Sequence, residues 1–144
     1  MDDSRLIENL IYTYAERIDA GDLEAVAELF RHGAIAAPAE GSLVEGYEAV
    51  LAMYQRATRI YEDTGTPGTR HLTTNVIIEV EGESAESRSC FTVVQAAPAF
   101  PLQAIISGRY RDTFQKVEGT WRFARREMTV DLLGNLSAHL LIDL

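Results

Sequence analysis

One histidine and one amide stand four residues apart in the stretch Thr69-Arg70-His71-Leu72-Thr73-Thr74-Asn75, where the residue pattern turns from helix-like to strand-like. An imidazole with a pKa of about 6.5 accepts a proton at neutral pH, and a carboxylate on its other ring nitrogen fixes the tautomer and stabilises the imidazolium that forms. Such a pair can remove a proton next to a carbonyl or another activated carbon. His71 is therefore the candidate proton carrier, set against the plain alternative of a satisfied structural histidine at a strand start. On a strand, Asn75 shares the face of His71, where its amide either meets a ligand or satisfies a backbone group.

Other polar and aromatic side chains have competing readings. Arg125 and Arg126 are adjacent and point to opposite faces of a strand, so one of them is solvated. Tyr110 and Asp112 share a face, as do Trp121 and Phe123, for which sheet packing is the better reading. Tyr14 sits in the middle of an apolar stripe, so its ring is core and only its hydroxyl is free for chemistry. Tyr47, Tyr54 and Tyr61 recur at helical spacing and read as pocket wall or core. Cys90, in mid-strand, reads as a small buried hydrophobe. His32 and His139 have no carboxylates at ligand spacing, so no metal site is expected.

The elements that must position these groups follow from periodicity. Ser4 can cap a helix over residues 5–19, with Leu6, Ile7, Leu10, Ile11, Tyr14 and Ile18 inward and Gly21 ending it. Asp22 caps a second helix with Leu23, Val26, Leu29 and Phe30 inward, ending near His32-Gly33. Residues 34–45 read as a short strand and a turn. A third helix starts at Gly46, with Val50, Leu51, Tyr54, Ala57, Thr58 and Tyr61 on one side, and residues 62–68 are a loop. Strands are predicted over Thr73 to Val80, Ser84 to Ala97, Leu102 to Lys116 and Thr120 to Val130, joined by hairpin connections. Helices followed by an antiparallel meander make an α+β chain, read as a single domain over 1–144. Its three helices cover one face of a twisted sheet and leave a half-open cone with a pocket. The tail, Leu132 to Leu144, is too apolar to stay loose in water and is expected over the pocket mouth or on a neighbouring subunit.

The bulk numbers exclude several classes of function. The 13 Lys+Arg against 22 Asp+Glu give a net charge of -9, which argues against nucleic-acid and anionic-membrane partners. A single cysteine excludes an internal disulfide and suits a reducing compartment, so a cytoplasmic location is expected. The start of the chain, with Asp2 and Asp3, shows no secretory signal, and no apolar run reaches the roughly 18 residues of a membrane span.

In order, Tyr14 to Asp22, Leu29-Phe30, Gly46-Tyr47-Glu48-Ala49, Arg70-His71 and Asn75, Gly82 to Ala85, Gly108 to Asp112, and Trp121-Arg122-Phe123 with Arg126 resemble the SnoaL-like polyketide cyclase group of the nuclear transport factor 2-like superfamily. The resemblance implies a cone of three amino-terminal helices on a strongly curved antiparallel or mixed sheet. Within that superfamily the pattern is most similar to scytalone dehydratase, bile-acid 7α-dehydratase and hexachlorocyclohexane dehydrochlorinase. Carried over, it makes His71 a base, Asp19 its partner, Tyr14 a hydrogen-bond donor and Arg126 a substrate contact; Asn75, Tyr54 and Tyr110 are the further substrate contacts expected from the residues themselves. The implied activity is a cofactor-independent lyase or isomerase, dehydratase-like or cyclase-like, on a small apolar oxygenated ring compound. The alternatives are a small-molecule binding module without catalysis and a dimerising interaction domain with a vestigial cavity. A homodimer or higher homo-oligomer is implied in each case. One geometric condition attaches to Asp19: helical geometry places it off the centre of the first stripe, so the expectation is that a bend at Ala20-Gly21 turns it inward.

Overall fold

The computed structural model describes residues 2–142. Helix α1, Asp3–Asp19, is capped by the Asp2 carboxylate, which accepts from the Arg5 N–H at 2.9 Å. The cap thus lies two residues before Ser4, because a carboxylate there also suits the positive end of the helix. Ile7, Ile11, Tyr14 and Ile18 form the buried stripe of α1. Asp22 caps α2, Leu23–Glu28, and the chain continues as turns in which Phe30 is fully buried. Strand β1, Ala34–Ala37, and β2, Ser42–Glu45, form a small hairpin around a short helical turn at Pro38–Glu40.

Helix α3, Gly46–Ala57, ends before Tyr61, because Thr58 is already extended. The expected stripe of three tyrosines therefore breaks. Tyr54 is buried, Tyr47 lies under the Arg31 guanidinium at 4.4 Å, and Tyr61 belongs to the following loop, where it bridges to Thr66. No helix among the described residues is long and apolar enough to cross a membrane.

Four long strands follow: β3 Thr69–Glu81, β4 Ser84–Ala97, β5 Phe100–Val117 and β6 Thr120–Leu133. The sheet order is β2-β1-β6-β5-β4-β3, with β1 parallel to β6 and the other neighbours antiparallel. The fold is thus α+β, three helices on one curved mixed sheet. Register shifts at Thr74/Ile77, Val93/Val94, Ser107/Gly108 and Thr113/Phe114 supply the curvature, since each extra residue bends its strand. At Gly108 a Cβ would stand 2.0 Å from the Thr129 carbonyl oxygen, so only glycine permits that closure of β5 on β6.

Inward-facing residues alternate along β4, from Ala85 and Ser87 to Val93 and Gln95, and meet Tyr110, Phe114, Trp121 and Phe123. Trp121 and Phe123 are packing residues, as expected. Cys90 faces outward and is only partly buried, so the buried-core reading of it is corrected by the parity of β4. The tail folds back onto the end of α3, with Thr58 and Leu140 bridged and the His139 ring 6.5 Å from that of His71; Asp143 and Leu144, also part of the expected covering tail, lie outside the described residues.

Gly21 decides how the helices meet the sheet. Its φ is +76°, and a Cβ there would stand 2.2 Å from the Gly65 carbonyl oxygen, so the loop before β3 lies directly on the α1–α2 turn. Gly21→Ala is expected to destabilise the protein by about 2 kcal/mol or more, from left-handed backbone strain plus the clash, read as a lower midpoint in urea denaturation.

Candidate active site

Asp19 is the last residue of α1, and its carboxylate receives three hydrogen bonds from the start of β3. The His71 backbone N–H donates to Oδ2 at 2.7 Å, the Thr69 hydroxyl donates to Oδ1 at 2.8 Å, and His71 Nδ1 lies 2.6 Å from Oδ1. Both side chains are well enclosed, with 9% of His71 and 13% of Asp19 exposed. The helix ends at Asp19, before Gly21, as the Asp19 condition requires. Helix α1 is regular through Asp19, Ala20 is still right-handed, and the turn comes at Gly21. The strand instead rises against the flank of the helix, brought there by the close approach of Gly65 to Gly21.

Burial pushes the Asp19 carboxyl up, but the His71 ring, the His71 backbone and the Thr69 hydroxyl outweigh it and hold it below the usual carboxylate range. Asp19 is therefore ionised at neutral pH and accepts from Nδ1–H, which fixes the orientation of the ring.

Tyr14 places its ring edge-on to His71, with centroids 6.2 Å apart, and its hydroxyl is 2.6 Å from that of Tyr54, either being able to donate. Burial raises the pKa of both hydroxyls, against the nearby Arg126 charge, so both stay protonated at neutral pH. Tyr110 stacks on Phe91 at 4.5 Å on one side and carries the Arg126 guanidinium 3.6 Å from its centroid.

Arg126 is the inward member of the Arg125-Arg126 pair, with no exposed surface. Its Nε and Nη2 meet the two Asp112 oxygens at 2.8 and 2.9 Å, and Nη1 has no partner among the described residues. Burial works against this charge, but Asp112 prevails and holds the guanidinium above its ordinary pKa. The expectation of Arg126 as a direct substrate contact is corrected accordingly, because its donor edge is committed to Asp112 inside the core.

Asn75 also departs from expectation. It stands at the β3 bulge with φ +56°, which breaks the alternation and turns its amide to the outer face, 3.9 Å from Cys90 Sγ. There it lines an outer groove with Arg109 and Thr129, away from His71.

Three further contributors come from residues given no role in the chemistry. Thr69 holds Asp19, Asp112 holds Arg126, and His139 comes from the tail. His139 is buried, its ring centroid is 6.5 Å from that of His71, and its Nδ1 has no partner among the described residues. Burial, then the charge of His71, lowers its pKa to about 4. A histidine inside an otherwise apolar tail was the available signal for its burial.

Residues 1–127 match the model of the SnoaL-like domain family. Among solved structures, the chain is similar to an Asp-to-Asn variant of a protein of unknown function from Mycobacterium tuberculosis, at 30% identity over 91% of this chain and 73% of that one, with a TM-score of 0.74. An NTF2-like protein with a cystatin-like fold from Novosphingobium aromaticivorans shares 26% identity over 94% and 86% of the two chains, with a TM-score of 0.75. A candidate scytalone dehydratase from the same organism shares 28% identity over 90% and 85%, with a TM-score of 0.71. No curated protein matches the sequence significantly.

The buried neutral His139 makes stability depend on pH with a definite sign. Its folded pKa of about 4 lies below the ordinary 6.5, so the unfolded chain takes up a proton first as pH falls. The stabilisation from keeping the ring neutral is complete above pH 6.5, declines between 6.5 and about 4, and reaches at most about 3 kcal/mol. Urea unfolding at pH 7, 5.5 and 4.5 is expected to show a steeper decline for the native chain than for His139→Gln, with Asp19 and His71 common to both.

Proposed function

Because the chain belongs to the SnoaL-like domain family, we propose that it is a cofactor-independent lyase or isomerase of dehydratase or cyclase type. Its substrate on this reading is a small, mostly apolar ring compound bearing oxygen. The observation that carries this reading is the 2.6 Å contact between Asp19 and His71 Nδ1 in an enclosed aromatic site. It orients the ring and leaves Nε2 basic.

The chemistry needs no group beyond these side chains. His71 Nε2 takes a proton from the carbon next to a carbonyl, and the Asp19 carboxylate stabilises the imidazolium. The electron pair released forms a carbon–carbon double bond as a neighbouring C–O bond breaks. The imidazolium returns the same proton to the departing oxygen, so water leaves and the site is restored. The Tyr14-Tyr54 hydroxyl pair supplies a donor to the oxygen on which charge develops. Arg126, from beneath the tyrosine rings, contributes a fixed positive field and holds Tyr14 and Tyr110 in place. The similarity to a candidate scytalone dehydratase supports elimination over other proton transfers.

A second reading, a dimerising interaction domain with a vestigial cavity, is favoured by one observation. Tyr54, the Phe91-Tyr110 stack and His139 fill the space around the dyad. On that reading the outer sheet face, where Leu72 and Ile77 stand exposed, would pair with a second copy.

The two readings separate on a panel of cyclic β-hydroxy ketones. His71→Gln is expected to lower kcat by about 10²–10⁴-fold while ligand binding, followed by calorimetry, is retained, and Tyr14→Phe is expected to lower kcat by a smaller factor. Turnover that survives His71→Gln would eliminate the dyad, and a native chain that neither binds nor turns over the panel would favour the interaction domain.

A further inference from the structure

The wall that closes the dyad from outside is the tail, and its construction differs from the other walls. Tyr14 stands on α1, Phe91 and Tyr110 stand on long central strands, and Tyr54 stands on α3. The tail from Gly134 to Ile142 is irregular. It leaves β6 with the Gly134 N–H donating to the Ile105 carbonyl at 2.7 Å. It lands on the end of α3, where the Arg59 N–H donates to the His139 carbonyl and the Leu141 N–H to the Ala57 carbonyl, each at 2.8 Å. Between these points the Ala138 carbonyl accepts from the Tyr61 hydroxyl at 2.5 Å and from Gln95 Nε2 at 2.9 Å. Leu141 and Ile142 are each half exposed, so the inward side chains of this stretch are chiefly Leu136 and His139.

His139 occupies the position next to the dyad. Its ring lies 6.5 Å from that of His71 at 71°, an edge contact. Two rings that sandwich a third need about 7 Å or more between them in a parallel arrangement, twice the ordinary contact distance of about 3.5 Å. No ring-shaped ligand fits between the two histidines as they stand. Among the described residues its Nδ1 has no hydrogen-bond partner, so that nitrogen does not tie the imidazole in place.

We propose that residues 134–142 form a displaceable gate in which His139 holds the ligand's place beside His71, and that a ring-shaped ligand reaches the base only as this strap lifts from the end of α3. The inference rests on the reading of His71 as the base of the site and adds how access to it is regulated.

The strap offers its own lock. The hydrogen bonds on either side of Thr58 and Leu140 make them a non-hydrogen-bonded antiparallel pair, whose Cα atoms lie about 4.5 Å apart and so accept a disulfide. The test uses Thr58→Cys/Leu140→Cys in a Cys90→Ser background, with diethyl pyrocarbonate as a small imidazole-modifying probe that needs no knowledge of the substrate. Peptide mass spectrometry reads the rate at His71, and the exposed His32 serves as internal control.

The expected result is a rate at His71 at least tenfold lower in the oxidised than in the reduced form, with His32 unchanged. The reduced and oxidised forms are one protein, so a folding defect in the variant cannot produce that difference. In the native background, Tyr61→Phe removes one of the bonds on Ala138 and is expected to speed the reaction at His71 several-fold. Equal rates in the two redox forms, failure of the two cysteines to bridge under oxidation, or an unchanged rate in Tyr61→Phe would each overturn the gate. A ligand panel without turnover would instead remove the assignment of His71 as base and leave the labelling result standing.

Discussion

The carboxylate of Asp19 is the joint on which the arrangement of helix and sheet depends. An aspartate at the last position of a helix faces the negative end of the helix dipole and is here mostly withdrawn from water, two effects that oppose its charge. Three donors from Thr69 and His71 reverse the balance. One of them is a backbone N–H, so the bond fixes the path of β3 as well as the orientation of a ring. The other end of α1 is tied in the same way, with Asp3 accepting from Trp121 Nε1 at 2.9 Å on β6. A single helix is thereby clamped across the sheet from its edge strand β3 to β6, and the cone between them has a set width.

Inside that clamp lies a second carboxylate with a different task. The Asp112-Arg126 pair is fully removed from water, a situation in which the desolvation of two charges can exceed their mutual attraction. What offsets it is geometry: two parallel hydrogen bonds and the faces of Tyr110 and Tyr14 against the guanidinium. The pair spans β5 and β6 directly beside a register shift, where the ladder is weakened and a cross-strand tie has most effect. Its consequence for the site is indirect. With Arg126 fixed, Tyr110 and Tyr14 have little freedom, and the hydroxyl of Tyr14 is directed to Tyr54.

Local chemistry made much of this legible from the residue order. The stripe of α1, the cap at Asp22, the hairpin at Gly82 and the sheet packing of Trp121 and Phe123 depend on near neighbours, and the expectations hold except at Leu6, which lies at the edge of the stripe and stays 37% exposed. The site was legible where a residue type is rare and its partners few, as for His71. What failed depended on events distant in sequence. Asn75 was placed by strict alternation, which the bulge after Thr74 breaks, and nothing in Thr74-Asn75-Val76 announces a bulge. Pattern left open which of Arg125 and Arg126 faces inward, and the pairing of Arg126 with Asp112 follows from a cross-strand register that pattern alone does not set. Asp19 ends its helix as the sequence required, but its approach to His71 also depends on Gly65 packing on Gly21 from 44 positions away. Tertiary contact overrode the helical wheel.

Enclosure and access make opposite demands on such a cone. Hydrogen bonds and fixed charges act most strongly where water is excluded, which favours the sealed state described here. A sealed site is useful only if one wall can yield at modest cost. The clamped helix cannot yield without breaking both of its ends, and β4 and β5 cannot without opening the core. The tail is joined to the body mainly by backbone hydrogen bonds to loop and strand ends, and much of its apolar surface already faces solvent. Among the described residues the Nδ1 of its inward imidazole has no partner, so a ligand that satisfies the dyad breaks no hydrogen bond at that nitrogen by expelling the ring. The difference in affinity between ligand and His139 for the same place then sets how far the population shifts toward the open form.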